Sequence, residues 1–196
     1  MENELQSMFE IIVETMKHEK NEDKIMELIG EYPQLLTCQD EKGRNLGMIA
    51  SLNGMEKVAI MALRHPQVSL HQSRNGHNLG MYCACMKLEE ATKEAMQNLV
   101  LMSQKDCFGW TLATYVMLAK LNQLYPSILQ DDRVVGDVDY KGRHIFDLAL
   151  EKNNVDFLGV YSNQFYTCTI EQILERNTLD VLDDGGCVYL QDECEV

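Results

Sequence analysis

The sequence predicts an all-α solenoid of helix-loop-helix repeats with β-turn tips, and three observations predict it. Gly43, Gly76, Gly109 and Gly142 are separated by 33, 33 and 33 residues, and self-similarity at a period of this size is the signature of a repeat array. Other positions keep the same beat: Asp40, Ser73, Asp106 and Asp139 stand three residues before each glycine, and Asn45, Asn78, Thr111 and His144 stand two after. Ala50, Cys83, Val116 and Ala149 then fall on one small, apolar position.

In chain order, residues 1–38 read as an N-terminal helical cap, a degenerate first unit with helices over Asn3 to Lys17 and Asn21 to Glu31 and charges on the outward side. Pro33-Gln34 and Pro66-Gln67 lie 33 residues apart and carry the period into this cap. Residues 39–162 hold four repeats. In each, Asp or Ser followed by Gly three residues later signals a turn, because the side chain bonds backbone amides and Gly supplies the permissive backbone. Asn45, Asn78 or Thr111 is then placed to cap a first helix of about seven to nine residues. A break and a second helix follow, as in Met55 to Arg64 before Pro66 and in Leu88 to Leu101. Neither short helix buries its apolar side alone, so neighbouring units must stack. Residues 163–178 read as a C-terminal capping helix, Thr169 to Arg176, and residues 179–196 as an acidic tail containing Gly185-Gly186, expected to be partly disordered.

The two strongest copies read Gly-Arg-Asn-Leu-Gly-Met-Ile-Ala (43–50) and Gly-His-Asn-Leu-Gly-Met-Tyr-Cys (76–83). Period and anchors together resemble the ankyrin repeat family over Gln39 to Tyr161. The resemblance implies a projecting β-turn followed by two antiparallel helices in each unit. The family's Asp-x-x-Gly-x-Thr-Pro-Leu-His motif lands on Asp40, Gly43 and Asn45 and on their counterparts in the next three units. The chain departs from it in two ways. Leu-Gly-Met, Leu-Ala-Thr and Ile-Phe-Asp replace Pro-Leu-His, and the glycine between the helices is present only as Gly54, with Lys87, Lys120 and Asn153 in the equivalent places.

Composition narrows the function classes. The net charge of -14 is concentrated at the ends: residues 1–40 carry ten acids against three bases and residues 171–196 eight against one, while the middle is neutral. Both ends repel phosphate backbones, which disfavours nucleic acid as a partner. Seven cysteines make an odd count, and no N-x-[ST] sequon is present, so the thiols read as reduced in a cytoplasm, the source cell's own or that of a host into which the protein is delivered. No targeting signal is expected in the acidic N-terminus. The uncharged stretches Cys107 to Ala119 and Phe157 to Ile170 fall short of the roughly 20 residues that cross a bilayer, so no membrane partner is expected.

For the family it resembles, contacts at turn tips and at the inner face of the first helices imply a noncatalytic protein-binding module or scaffold. The candidate partner-binding residues are Lys42, Arg44, Arg74, His77, Phe108, Trp110, Tyr140, Lys141 and Arg143. Trp110, the one tryptophan, and Phe108 are expected at exposed turn positions, and aromatic and Arg residues favour interfaces. The flanking bases make an acidic or phosphorylated segment of a partner protein the better fit. The inner-helix positions Leu52, Cys85, Leu118 and Glu151 are weaker candidates. The competing reading is that Phe108 and Trp110 fold down onto neighbouring turns and that the bases are solvated loop charges.

Chemistry finds little support. Cys83-x-Cys85 with Cys107 and His77 has the residue types of a zinc or nucleophile site without its spacing, and the thiols read as core filler. Cys187 and Cys194 in the tail have nothing near them in sequence to activate a thiol. Neither a phosphate loop nor a dinucleotide fingerprint is present. No catalytic residue, cofactor or metal is assigned, and a monomer is expected. Two alternatives remain open: a small enzyme, or enzyme-inhibiting regulator, with a groove site near His77, Cys85 and Trp110, and a homo-oligomer formed through the same tips.

Overall fold

The computed structural model describes residues 2–19 and 21–165. The expected capping helix from Thr169 to Arg176, the acidic tail, Cys187 and Cys194 lie outside the described residues. Among the described residues all regular structure is helical, apart from isolated antiparallel bridges pairing Gln39 with Asn45, Gln72 with Asn78 and Val138 with His144.

Helices α1 (Glu2–His18) and α2 (Glu22–Glu31) form the N-terminal pair, and Asn21 starts the second by accepting the Lys24 N–H at 3.1 Å. Phe9, Ile12 and Met16 of α1 and Ile25 and Ile29 of α2 are buried, the spacing of one apolar face on each helix. A 3-10 turn over Pro33–Thr37 leads to the first tip. The first full unit contains α3 (Leu46–Leu52), α4 (Glu56–Leu63) and the short α5 (Pro66–Ser69). The second contains α6 (Leu79–Cys85), α7 (Glu89–Met96) and α8 (Leu99–Ser103). In the third, α9 (Leu112–Leu118) precedes a 3-10 turn over Asn122–Leu124, α10 (Tyr125–Leu129) and α11 (Asp132–Gly136). The fourth holds α12 (Ile145–Glu151) and α13 (Val155–Phe165).

Packing follows the chain. α6 touches both α3 and α9, α9 touches α12, and α4 packs on α2 and α7, so the core runs continuously from one unit to the next. The expected single helix from Leu88 to Leu101 is instead two: α7 stops at Met96, and Asn98 accepts the N–H groups of Val100 and Leu101 to start α8. A local Asn cap outcompetes helix continuation there.

The Leu-Gly-Met segments have a packing reason. A Cβ added at Gly47 would overlap the Ala62 Cβ across the α3/α4 contact, and one at Gly80 would meet the Ala95 Cβ at 2.9 Å. These two helix pairs therefore approach closely because the residue is glycine. Between the paired helices, Lys87 (φ 56°), Lys120 (φ 58°) and Asn153 (φ 49°) adopt the same left-handed backbone as Gly54 (φ 73°). The loop geometry is thus kept where the sequence does not favour it.

Outer helices are tied across units by carboxylates. Glu22 accepts the Lys57 N–H at the start of α4, and Glu56 accepts the Glu90 and Ala91 N–H groups at the start of α7, at 2.8 and 3.1 Å for the latter pair. Both satisfy otherwise orphaned helix N-terminal donors. No helix among the described residues is long and apolar enough to cross a membrane.

Candidate functional site

Each tip is built around the side chain three residues before its glycine. One carboxylate oxygen of Asp40 accepts the N–H groups of Lys42 and Arg44, Asp106 does the same for Phe108 and Trp110, and Asp139 for Lys141 and Arg143. Gly43, Gly76, Gly109 and Gly142 all lie at positive φ, between 73° and 83°. At Gly109 the need for glycine is also spatial, because an added Cβ would meet the Tyr140 N at 2.6 Å and the Tyr140 Cγ at 2.9 Å. Ser73 is the exception among the tip anchors: its hydroxyl is buried with no hydrogen-bond partner.

Successive tips are joined by backbone hydrogen bonds. The Arg74 N–H donates to the Lys42 carbonyl at 3.0 Å, Cys107 N–H to Asn75 at 2.9 Å, and Tyr140 N–H to Phe108 at 3.1 Å. Side chains add further ties, since Gln72 donates to the Lys105 carbonyl and the Lys105 ammonium reaches both the Asp137 carboxylate and the Val138 carbonyl at 2.7 Å. The four tips form one hydrogen-bonded row.

The nine expected contact residues divide into two groups. Lys42, Arg74, Phe108 (39% exposed), Tyr140 (69% exposed) and Lys141 are exposed along this row. Arg44, His77, Trp110 and Arg143, which share one repeat position, instead turn inward. The Arg44 side chain is 14% exposed and donates through Nε to Asp40 at 2.7 Å. Arg143 donates to Asp139 and to Glu151. Trp110, expected at an exposed tip, is half-buried: its ring lies 5.2 Å from Phe108 and 6.1 Å from Tyr115, and its Nε1–H points to the Asp139 carboxylate at 3.4 Å. The physical reason is common to all four, since each finds a carboxylate or an aromatic face on its own or the next unit. The inner-helix candidates divide similarly, with Leu52, Cys85 and Leu118 packed partly against the core and Glu151 exposed.

His77 joins two units through a buried polar cluster. Its Nε2 is 2.9 Å from the Tyr115 hydroxyl, which donates to Asp106 at 2.7 Å; His77 and Asp106 are 3.5 Å apart. Burial pushes the Asp106 carboxyl up, but hydrogen bonds from His77, Tyr115 and the Trp110 and Phe108 amides outweigh it and hold the group below its ordinary range. Asp106 is therefore an acceptor, the one Tyr115 proton points to it, and the Tyr115 oxygen is left to accept from His77 Nε2–H. Burial, and then the Asp106 charge, raise Tyr115 far above a normal phenol. The rings of Tyr82 and Tyr115 each meet His77 edge-on at 5.6 Å.

This cluster brings His77 and Trp110 to the same tyrosine, and sequence reasoning missed Tyr115. A signal was present: Ile49, Tyr82, Tyr115 and Leu148 share one repeat position, and all four are buried beneath the tips. The thiols behave as core. Cys83 is fully buried, its ionisation pushed up to about 12 by burial, while Cys85 is half-buried and Cys107 exposed. Among the described residues no group of three His, Cys, Asp or Glu side chains is arranged to hold a metal ion. An open groove of about 660 Å³ between the α1/α2 loop and Gly54–Lys57 is lined by Glu19, Glu22 and Asp23, whose charges face Lys57 and Lys24.

No protein-family model matches the chain, and no curated protein matches it.

Proposed function

We propose that the chain is a noncatalytic, ankyrin-type protein-binding array that holds an acidic segment of a partner protein along its row of tips. The observation that carries this reading is the hydrogen-bonded row itself, which presents Lys42, Arg74, Phe108, Tyr140 and Lys141 to solvent on a backbone already fixed. Preorganised loops bind without a large ordering cost, and exposed aromatics beside basic groups suit carboxylate or phosphate neighbours with an apolar anchor. The ankyrin-type assignment is supported by the 33-residue recurrence of tip, inner helix and outer helix, and by left-handed residues at equivalent positions. The groove alternative, near His77, Cys85 and Trp110, is weakened by its own geometry: the His77 Nε2 is engaged by Tyr115, and the Trp110 Nε1–H points to Asp139.

The test is affinity capture from source-cell lysate with wild type and an Arg74→Ala, Phe108→Ala, Tyr140→Ala variant of matched thermal stability. Partners captured by wild type and lost from the variant support the tip surface. Equal capture by both refutes it and moves attention to the inner helices.

A further inference from the structure

We infer that the chain's own acidic segment, Asp180 to Glu193, occupies the tip row and competes with the partner for it. This rests on the tip-binding reading above and concerns its regulation. The exposed tip groups alternate in kind. Lys42 and Arg74 lie at one end, Phe108 and Tyr140 follow, and Lys141 closes the row, with Phe108 and Tyr140 joined by a backbone hydrogen bond and the Tyr140 ring against Gly109. A matching ligand carries apolar side chains with acids on both sides.

The sequence outside the described residues has that pattern. Asp180 precedes Val181-Leu182, Asp183-Asp184 follow, and Tyr189-Leu190 lead to Asp192-Glu193. Residues 171–196 carry eight acids against one base, whereas the tips expose Lys42, Arg74 and Lys141 with Glu41 as the acid among them.

Reach is sufficient. The fourth tip leads directly into α12, seven residues and about 10 Å long, and α13, packed on it, has eleven residues and is about 16 Å long. Residues 166–179 separate the end of α13 from Asp180; with the expected helix Thr169 to Arg176 at about 1.5 Å per residue and the other six residues at about 3.3 Å each, they span up to about 32 Å. A tether of this length holds the segment at an effective concentration on the order of millimolar, enough for a weak site to be filled in cis.

The test uses the full chain and a fluorescein-labelled peptide of residues 179–193 with Cys187→Ser as the probe. It compares wild type with a variant carrying Asp180→Asn, Asp183→Asn, Asp184→Asn, Asp192→Asn and Glu193→Gln. Fluorescence anisotropy should show the neutralised variant binding the probe about tenfold tighter than wild type. Adding Arg74→Gln and Lys141→Gln should remove that gain. A charge control with Glu4, Glu10, Glu14, Glu27 and Glu31 changed to Gln should bind like wild type. Equal binding by wild type and the neutralised variant overturns the inference and leaves the tip reading standing. A gain that survives the tip substitutions, or that the charge control reproduces, also overturns it. No binding of the probe by any of these proteins overturns the inference together with the acidic-partner reading.

Discussion

The Tyr115 hydroxyl donates to the Asp106 carboxylate at 2.7 Å, and the contact joins the first helix of the third unit to the tip that leads into it, with His77 of the unit before completing the cluster. Tyr115→Phe removes the donor and leaves a buried carboxylate with one partner fewer. The expected cost is about 1 to 3 kcal/mol, because stranding a buried acceptor costs more than a hydrogen bond contributes. Urea unfolding followed by circular dichroism checks this, and a change within about 0.5 kcal/mol would refute the role assigned to the cluster.

Acid should weaken the array through the tip aspartates. Asp106 and Asp139 are both pushed up by burial and held lower overall by hydrogen bonds, those of Asp139 coming from the Arg143 and Lys141 amides and the Arg143 guanidinium. Their folded-state values lie below the unfolded value of about 3.9, so their contribution is present above that pH and lost as pH falls through the folded value. Urea midpoints measured between pH 7 and pH 2.5 should fall most steeply at the acid end. Asp106→Asn should be less stable at pH 7 and lose less on acidification than wild type. An equal loss in both proteins would remove Asp106 from the explanation.

Lys87→Gly and Lys120→Gly should each stabilise the protein by about 0.5 to 1 kcal/mol. A left-handed backbone costs a residue with a Cβ about 1 to 2 kcal/mol, and the greater unfolded-state freedom of glycine takes back part of the gain. Gly54→Lys is the reciprocal variant and should destabilise, since Gly54 holds the same conformation at φ 73°. Thermal melting of the three single variants decides the sign.

Ser73→Asp should raise stability by about 1 kcal/mol. In the other three tips this position is an aspartate whose oxygen accepts two backbone N–H groups, whereas the Ser73 hydroxyl is buried without a partner. A lower melting temperature for Ser73→Asp would show that the second tip is built differently from its neighbours.

Much of this was legible in the sequence, and the misses share a cause. The period fixed the tips, the Asn45 and Asn78 caps and the helix order, because turn and cap chemistry act over three or four residues. Thr111 caps no helix through its side chain, and Leu88 to Leu101 splits at Asn98, both cases in which one local hydrogen bond decides between near-equal alternatives. The surface was half legible. Exposure of Lys42, Arg74, Tyr140 and Lys141 follows from their place in the turn. The inward fold of Arg44, His77, Trp110 and Arg143 depends on partners in other positions, three of them reaching beyond their own turn: Tyr115 for His77, Asp139 for Trp110, Glu151 for Arg143. A single-unit reading does not contain those pairs; aligning the units column by column does.

The carboxylate ties between outer helices give the array a direction. Glu22 serves the start of α4 and Glu56 the start of α7, so in both cases the earlier unit supplies the acceptor and the later helix supplies the exposed N–H groups. A helix of eight residues is a poor nucleus by itself, and here its first turn is completed by a neighbour synthesised before it. Assembly from the N-terminus therefore finds the acceptors for α4 and α7 ready as those segments leave the ribosome, while fraying from the C-terminus leaves both helices with their acceptors in place.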